Sequence, residues 1–376
     1  MTSSIPSLPR IVVVGTGGTI AGAAAKATQT SGYQAGALPV ASLLQAVPGL
    51  DELARIEGDS VASIDSKDMT TALWITLAQR VQALLARDGV DGVVITHGTD
   101  TLEETAYFLH LTLKSAKPVV LTAAMRPATA LSADGPLNLL HAVTVAASPA
   151  SHGRGVLVTF ANRIHSAREV AKTSTFSIDA FESPETGPLG WIHDAHVEYE
   201  RRGERLHTLA TPFRLAPPSG EASTGQGTER GIEAHDEALA TASASGAGPR
   251  VAPHGLGATL PAVDIVMSYA GVSRVAVDAL VAAGVKGIVV AGTGGGSIHH
   301  DLLEGLAQAA ARGVTIVRAS RIGSGHVLRN GAAADDRLGF VCAGTLSAIK
   351  ARVLLMVALA SGMRDIDALQ GAFDTF

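Results

Sequence analysis

The chain has 376 residues, 47% of them apolar and 17% charged, with a formal net charge of -5 and a single cysteine. That is more than one ordinary core accommodates, so two folding units are expected, and the apolar content excludes a disordered chain. The absence of a Lys/Arg cluster argues against nucleic acid or an anionic membrane surface as partner, and one cysteine excludes an internal disulfide and a cysteine-rich metal site.

The first ten residues, MTSSIPSLPR, lack the 7 to 15 apolar residues that form a signal-peptide core. The expected compartment is therefore the cytoplasm, or the periplasm if a leader has been removed. Then comes IVVVGTGGTIAG, residues 11–22, in which four β-branched residues run into a knot of glycines and two threonines. A strand ending in a tight turn is where ligands bind in open parallel sheets. The dinucleotide fingerprint fails because Ile20 stands at its third glycine, and a P-loop fails because no lysine follows. What the glycines do allow is close approach of a carbonyl group, with backbone N–H groups at Gly17 and Gly18 facing a developing oxyanion. A threonine hydroxyl as nucleophile then requires a partner to take its proton.

Further along, DSKDMTTALWITLAQRVQALL carries Leu73, Leu77, Val81 and Leu84 on one helical stripe, predicting a helix over about 70–87. Its approach, SIDSKDMTT, sets Asp65, Ser66, Lys67 and Asp68 at a strand tip. Next, GVVITHGTDTLEETAYFL at 92–109 repeats the grammar: an apolar strand, then His97, Gly98, Thr99, Asp100 and Thr101, then an amphipathic helix over 102–113. One polar residue there would suffice as a helix cap; five in succession point to a site. Strands are also expected over 118–122 and 155–160. The alternation of short strands and helices implies a mainly parallel sheet flanked by helices.

After about residue 215 the chain turns rich in Gly, Ala, Ser and Pro, and 216–258 is expected to be a flexible interdomain insertion with a short helix near 232–240. The strand and helix pattern restarts at 262–269, continues at 289–291 and 314–318, and ends in a helix over about 346–360. The expected organisation is thus an N-terminal domain over 1–215 that carries the candidate catalytic strand tips, the insertion, and a smaller C-terminal α/β domain over 259–376. Within the latter, AGTGGGSIHH at 291–300 reads as a glycine turn, with the adjacent His299 and His300 pointing apart. No segment is long and apolar enough to span a membrane.

TGGTIAG together with THGTDTLEET resembles the two signature segments of the bacterial L-asparaginase and glutaminase-asparaginase family, nearest its type II branch. KPVVLTAAMRP, SADGPLNL, VAKTST, GPLGWIH and GFVCAGTL agree with it, so the resemblance covers nearly the whole chain outside the insertion. It implies an amidohydrolase that splits a side-chain amide to a carboxylate and ammonia through a threonine acyl-enzyme, without a metal or other cofactor. Carried over by motif, Thr19 resembles the nucleophile and Tyr33 its hydrogen-bonding partner; Thr99, Asp100 and Lys172 resemble a second triad. Thr16 is left as a turn residue, and His97 and Arg126 as scaffold. Lysine serves as a base only when neutral, and Asp100 favours its charged form. Ser66 and backbone N–H groups suit a substrate α-carboxylate, Asp100 an α-ammonium, and Gly18, Gly98, Thr99 and Lys67 complete the expected binding surface.

Three positions depart from the family pattern. Lys67 replaces a glutamine, and Gly271 and Ala333 stand where the family places an asparagine and a glutamate contributed across a subunit interface. The resemblance implies a homotetramer built as a dimer of dimers. Loss of these contacts, each about 1.5–3 kcal/mol for hydrogen bonds to charged groups, implies weakened or relaxed recognition of L-asparagine. The alternatives are a glutaminase-asparaginase, a hydrolase of another small amide, or a non-catalytic amino-acid binder on the same scaffold.

Overall fold

The computed structural model describes residues 8–216, 255–257 and 259–376. Its larger sheet holds β1 (Arg10–Gly17), β2 (Arg55–Ile64), β3 (Gly92–Thr96), β4 (Val119–Thr122), β5 (Val156–Phe160), β6 (Arg163–Ser166), β9 (Gly190–His193) and β10 (His196–Tyr199), in the spatial order β10-β9-β6-β5-β4-β3-β1-β2. The five strands from β5 to β2 run parallel, while β6, β9 and β10 extend the sheet antiparallel. Val12, Val13, Val94, Ile95 and Leu121 are fully buried because β1, β3 and β4 are covered on both faces, which is why these strands read as continuous apolar runs. β2 lies at the sheet edge and correspondingly alternates between exposed and half-buried residues.

Helices α1 (Val40–Gln45), α2 (Leu50–Leu53) and α5 (Gly135–Ala147) lie on one face, where Leu43, Leu50 and Leu139 cluster with Ile11, Val13 and Val94. On the opposite face are α3 (Thr71–Leu85) and α4 (Leu102–Thr112). The expected stripe on α3 is observed: Leu77, Val81 and Leu84 are buried, and Thr70 caps the helix by accepting the N–H of Leu73.

Short pairs complete this part of the chain: β7 (Ala171–Lys172) with β8 (Phe181–Glu182), and β11 (Arg214–Leu215) with β12 (Gly255–Leu256). The last of these corrects the expected boundary of the insertion. Composition places Leu256 in a linker, yet it is fully buried in the same core cluster as Phe213, paired in register with Leu215. The rest of the expected insertion, including the short helix at 232–240, lies outside the described residues.

The C-terminal sheet is parallel, in the order β13 (Val263–Met267), β14 (Gly287–Gly292), β15 (Thr315–Ser320), β16 (Phe340–Cys342). One face carries the helices Val275–Ala282 and His300–Ala311. The other carries Ala348–Ala360, which also packs on α4. Apolar around most of its circumference, this helix is buried between two domains and joins their cores.

Candidate active site

Because β3, β1 and β2 are parallel neighbours, their carboxyl ends emerge side by side. Each tip carries polar residues: Thr19 after β1, Asp65 and Ser66 after β2, and Thr99 with Asp100 after β3. A cavity of about 570 Å³ opens there, lined among others by Thr19, Tyr33, Asp65, Ser66, Thr99, Asp100 and Lys172.

The first cluster joins Thr19 Oγ1 to Tyr33 Oη at 2.6 Å. Burial pushes the Tyr33 phenol above its ordinary range, only partly offset by the bond to Thr19, and the nearby charges of Asp65 and Asp100 push the same way. Tyr33 is therefore a neutral phenol at neutral pH, suited to holding the Thr19 hydroxyl. In the second cluster the Lys172 ammonium donates to Thr99 Oγ1 at 2.9 Å and to Asp100 Oδ1 at 2.6 Å. Lys172 itself extends from β7, which lies outside the large sheet, and its side chain reaches the tip of β3.

Ser66 is buried and its Oγ accepts the Asp100 N–H at 3.2 Å, while Thr101 Oγ1 donates to the Ser66 carbonyl at 2.8 Å. The tips of β2 and β3 are thereby tied together, and the serine O–H remains able to donate toward the cavity.

Gly18 is placed otherwise than the oxyanion reading expects. The Gly18 N–H is already committed to the Ile64 carbonyl at 2.8 Å, so it does not face an oxyanion. Instead Gly18 and Gly98 meet backbone to backbone: a Cβ on Gly18 would sit 2.4 Å from the Gly98 Cα. Thr16 is likewise not in a turn. It belongs to β1 and donates to the Thr96 carbonyl at 3.0 Å from a buried position.

Lys67 is also placed otherwise than expected. Its side chain is 61% exposed and its ammonium pairs with Asp65 at 2.8 Å and Asp68 at 3.1 Å, away from the cavity lining. Lysine at this position thus reaches the site only through Asp65. Burial works to raise the Asp65 carboxyl, but the bonds from the Lys67 ammonium and backbone N–H outweigh it and hold the group below the usual carboxylate range. Asp65 is the wall residue that motif reading passed over, although its place beside Ser66 at a strand tip was the available signal. Met125, Arg126, Thr175 and Phe176 also line the cavity, and they come from loops that no periodicity marks.

His97 is scaffold. Its Nδ1 faces the Gly98 carbonyl at 2.7 Å and its Nε2 the Thr105 hydroxyl at 3.0 Å, and that hydroxyl accepts from the Trp74 indole at 2.8 Å. The chain of donors assigns the proton to Nδ1. Burial lowers the imidazole to about 4, so it stays neutral.

Distant from this site, the His299 and His300 rings stack at 4.3 Å instead of pointing apart, because His299 is the extended N-cap of the helix and its Nδ1 accepts the Asp301 N–H. Regular-structure spacing does not apply to a cap residue. The ligand-capable atoms of His299, His300 and Asp301 lie within 4.8 Å of one another, but at the positive end of a helix dipole, which opposes a bound cation.

A threonine hydroxyl oriented by a phenol, beside a Thr-Lys-Asp cluster at the carboxyl edge of a parallel sheet, defines an α/β amidohydrolase with an oxygen nucleophile. Residues 10–205 match the model of the asparaginase N-terminal domain, and 262–373 that of the glutaminase/asparaginase C-terminal domain. The chain belongs to the asparaginase and glutaminase family. It is 42% identical over 369 residues to a probable periplasmic L-asparaginase of Haemophilus influenzae, covering 98% of this chain and 93% of that one. Against L-asparaginase 2 of Escherichia coli the identity is 40%, covering 98% and 94% of the two chains. A glutaminase-asparaginase of Pseudomonas fluorescens is 38% identical, covering 97% and 90%. The crystal structure of a probable cytoplasmic L-asparaginase from Campylobacter jejuni superposes with a TM-score of 0.84 at 41% identity, covering 98% of this chain and all of that one. Among the described residues no helix is long and apolar enough to cross a membrane.

Proposed function

We propose that the protein hydrolyses the side-chain amide of L-asparagine to L-aspartate and ammonia through an acyl-enzyme on Thr19. The observation that carries this reading is the pair of clusters on one cavity wall: Thr19 on Tyr33 at 2.6 Å, and Lys172 bridging Thr99 and Asp100. A pure amino-acid binder has no need of either.

In the first half-reaction Thr19 Oγ1 bonds to the amide carbon and its proton leaves along the polar groups of the cavity. The C–N bond then breaks, and the nitrogen departs as ammonia carrying that proton. In the second, water attacks the ester, one of its protons returns to Thr19 Oγ1, and aspartate is released. Tyr33 orients the nucleophile while the Thr99, Lys172 and Asp100 cluster stabilises and relays charge. Ser66 donates to the α-carboxylate and the Asp100 and Asp65 carboxylates accept the α-ammonium.

Recognition of that end is weaker and more permissive than in the family pattern. Gly271 offers no side chain from its turn, and Ala333 offers only a methyl. All described lining residues of the cavity fall between 19 and 176, which leaves the C-terminal-domain contacts of the family pattern to a neighbouring subunit in the assembly proposed here. A homotetramer is the assembly proposed with the family pattern, and the apolar residues left bare at and beside edge strand β13 offer it a contact surface: Met267 is 52% exposed, Tyr269 50% and Val275 69%.

The test is ammonia release over L- and D-asparagine, glutamine and small amides, with Thr19→Ala as control. Release from L-asparagine that vanishes in the variant supports the mechanism, and equal release by the variant overturns it. A micromolar KM for L-asparagine would remove the proposal of weakened recognition, and a monomer in sedimentation would remove the assembly.

A further inference from the structure

Lys350 lies in the first turn of Ala348–Ala360, on the C-terminal domain, and is only 2% exposed. Its ammonium reaches across the domain boundary and donates to two backbone carbonyls, those of Arg168 at 2.9 Å and of Val170. These carbonyls end two residues short of Lys172. From the other side, the buried Glu103 carboxylate at the start of α4 accepts the Lys172 backbone N–H at 3.3 Å. A third tie comes from Arg168, which donates to the Phe376 carbonyl at 3.0 Å and to the Thr345 hydroxyl at 3.2 Å. The strand bearing Lys172 is only two residues long, too short to hold its own position. A buried lysine is expensive to desolvate, and nothing in the packing of an apolar helix requires one.

We infer that Lys350 and Glu103 are positioning residues that hold the backbone of 168–172 so that the Lys172 ammonium meets Thr99 and Asp100, making the C-terminal domain of the same chain part of the catalytic apparatus. Neither touches substrate, and the inference rests on Lys172 acting in the reaction as proposed above. An error of about 1 Å in a catalytic group costs on the order of 100-fold in rate. Displacing the 168–172 segment therefore lowers kcat and leaves KM, set by Ser66, Asp65 and Asp100, nearly unchanged.

The experiment compares kcat and KM for L-asparagine in Lys350→Met, Lys350→Arg, Glu103→Ala and Glu103→Gln, alone and combined with Lys172→Met, on protein whose fold is checked by circular dichroism. Lys350→Met and Glu103→Ala are expected to lower kcat by 10-fold or more with KM within twofold. Glu103→Gln, which keeps an acceptor oxygen for the Lys172 N–H, and Lys350→Arg, which keeps donors, are expected to recover most of it. In the Lys172→Met background the same changes are expected to cost nothing further, a non-additivity that mere loss of stability does not produce. If Lys350→Met does not fold, Glu103→Ala and Glu103→Gln carry the test. A silent Glu103→Ala, or losses that multiply with Lys172→Met, overturns the inference while leaving the role of Lys172 intact. A fully active Lys172→Met overturns both.

Discussion

Gly18 and Gly98 are in backbone contact: the α-carbon of one occupies the place where the other's side chain would begin. This contact brings the Thr19 loop after β1 against the tip of β3, and so fixes the spacing of the two halves of the candidate site. Gly18 also has φ of 78°, in the left-handed region that disfavours any other residue.

Gly98→Ala is the sharper test of this closure. Its Cβ would meet Ser66 Oγ at 2.5 Å and Ser66 Cβ at 2.7 Å, so the buried serine must move. Overpacking of this kind costs about 1–3 kcal/mol. Expected is a folded protein of lowered denaturation midpoint with KM for L-asparagine raised 10-fold or more. Unchanged kinetics would show that Ser66 does not read the substrate.

Tyr33→Phe removes the bond to Thr19 and nothing else that the cavity needs. The expected loss is about 10- to 100-fold in kcat, in the range of a single positioned proton-handling group. Since burial raises the phenol above its ordinary value, Tyr33 stays protonated through pH 9. An alkaline limb in the kcat profile below that pH must therefore persist in the variant, and its disappearance would assign the limb to Tyr33.

Lys67→Gln restores the glutamine of the family pattern. The ammonium it removes is exposed and lies outside the cavity lining, paired with the wall residue Asp65 and with Asp68. Exposed pairs contribute about 0–1 kcal/mol, so KM for L-asparagine is expected to change less than about fivefold at physiological salt. A change of two orders of magnitude would mean that Lys67 enters the cavity when substrate binds.

Glu104 on α4 faces Arg352 of the neighbouring domain at 3.7 Å, yet burial raises its carboxyl to about 7, with the arginine only partly opposing. A carboxyl whose folded pKa exceeds its unfolded value binds protons more tightly when folded. Its contribution is therefore full below the unfolded pKa of about 4.5 and is lost as pH rises toward 7. Glu104→Gln is thus expected to be stabilising at pH 8, by on the order of 1–3 kcal/mol, and close to neutral at pH 4.5. Urea unfolding at the two pH values measures this, and equal effects at both would refute it.

Much of the fold was legible in the residues. The apolar runs at 11–14, 92–96 and 118–122 mark β1, β3 and β4 because a strand buried on both faces has no polar side to interrupt it. The antiparallel extension through β6, β9 and β10 was not legible, since its strands are four residues each and partly exposed. Nor was β12, whose identity as a strand depends on β11 some forty residues earlier.

Within the site, the sequence by itself determined which residues are candidates for the chemistry: Thr19, Thr99 and Asp100 sit at strand tips, where local grammar of strand, glycine and hydroxyl is readable. Tertiary structure alone decided how they are used. Only the strand order β3-β1-β2 shows that separate tips share one cavity, and only the folded contacts show that the Gly18 N–H is already bonded, that Lys67 faces Asp65 and Asp68, and that Lys350 reaches the segment before Lys172. The physical reason is range. Helical period, turn chemistry and capping act over a few residues, whereas a hydrogen bond joining positions 180 residues apart leaves no trace in the neighbourhood of either.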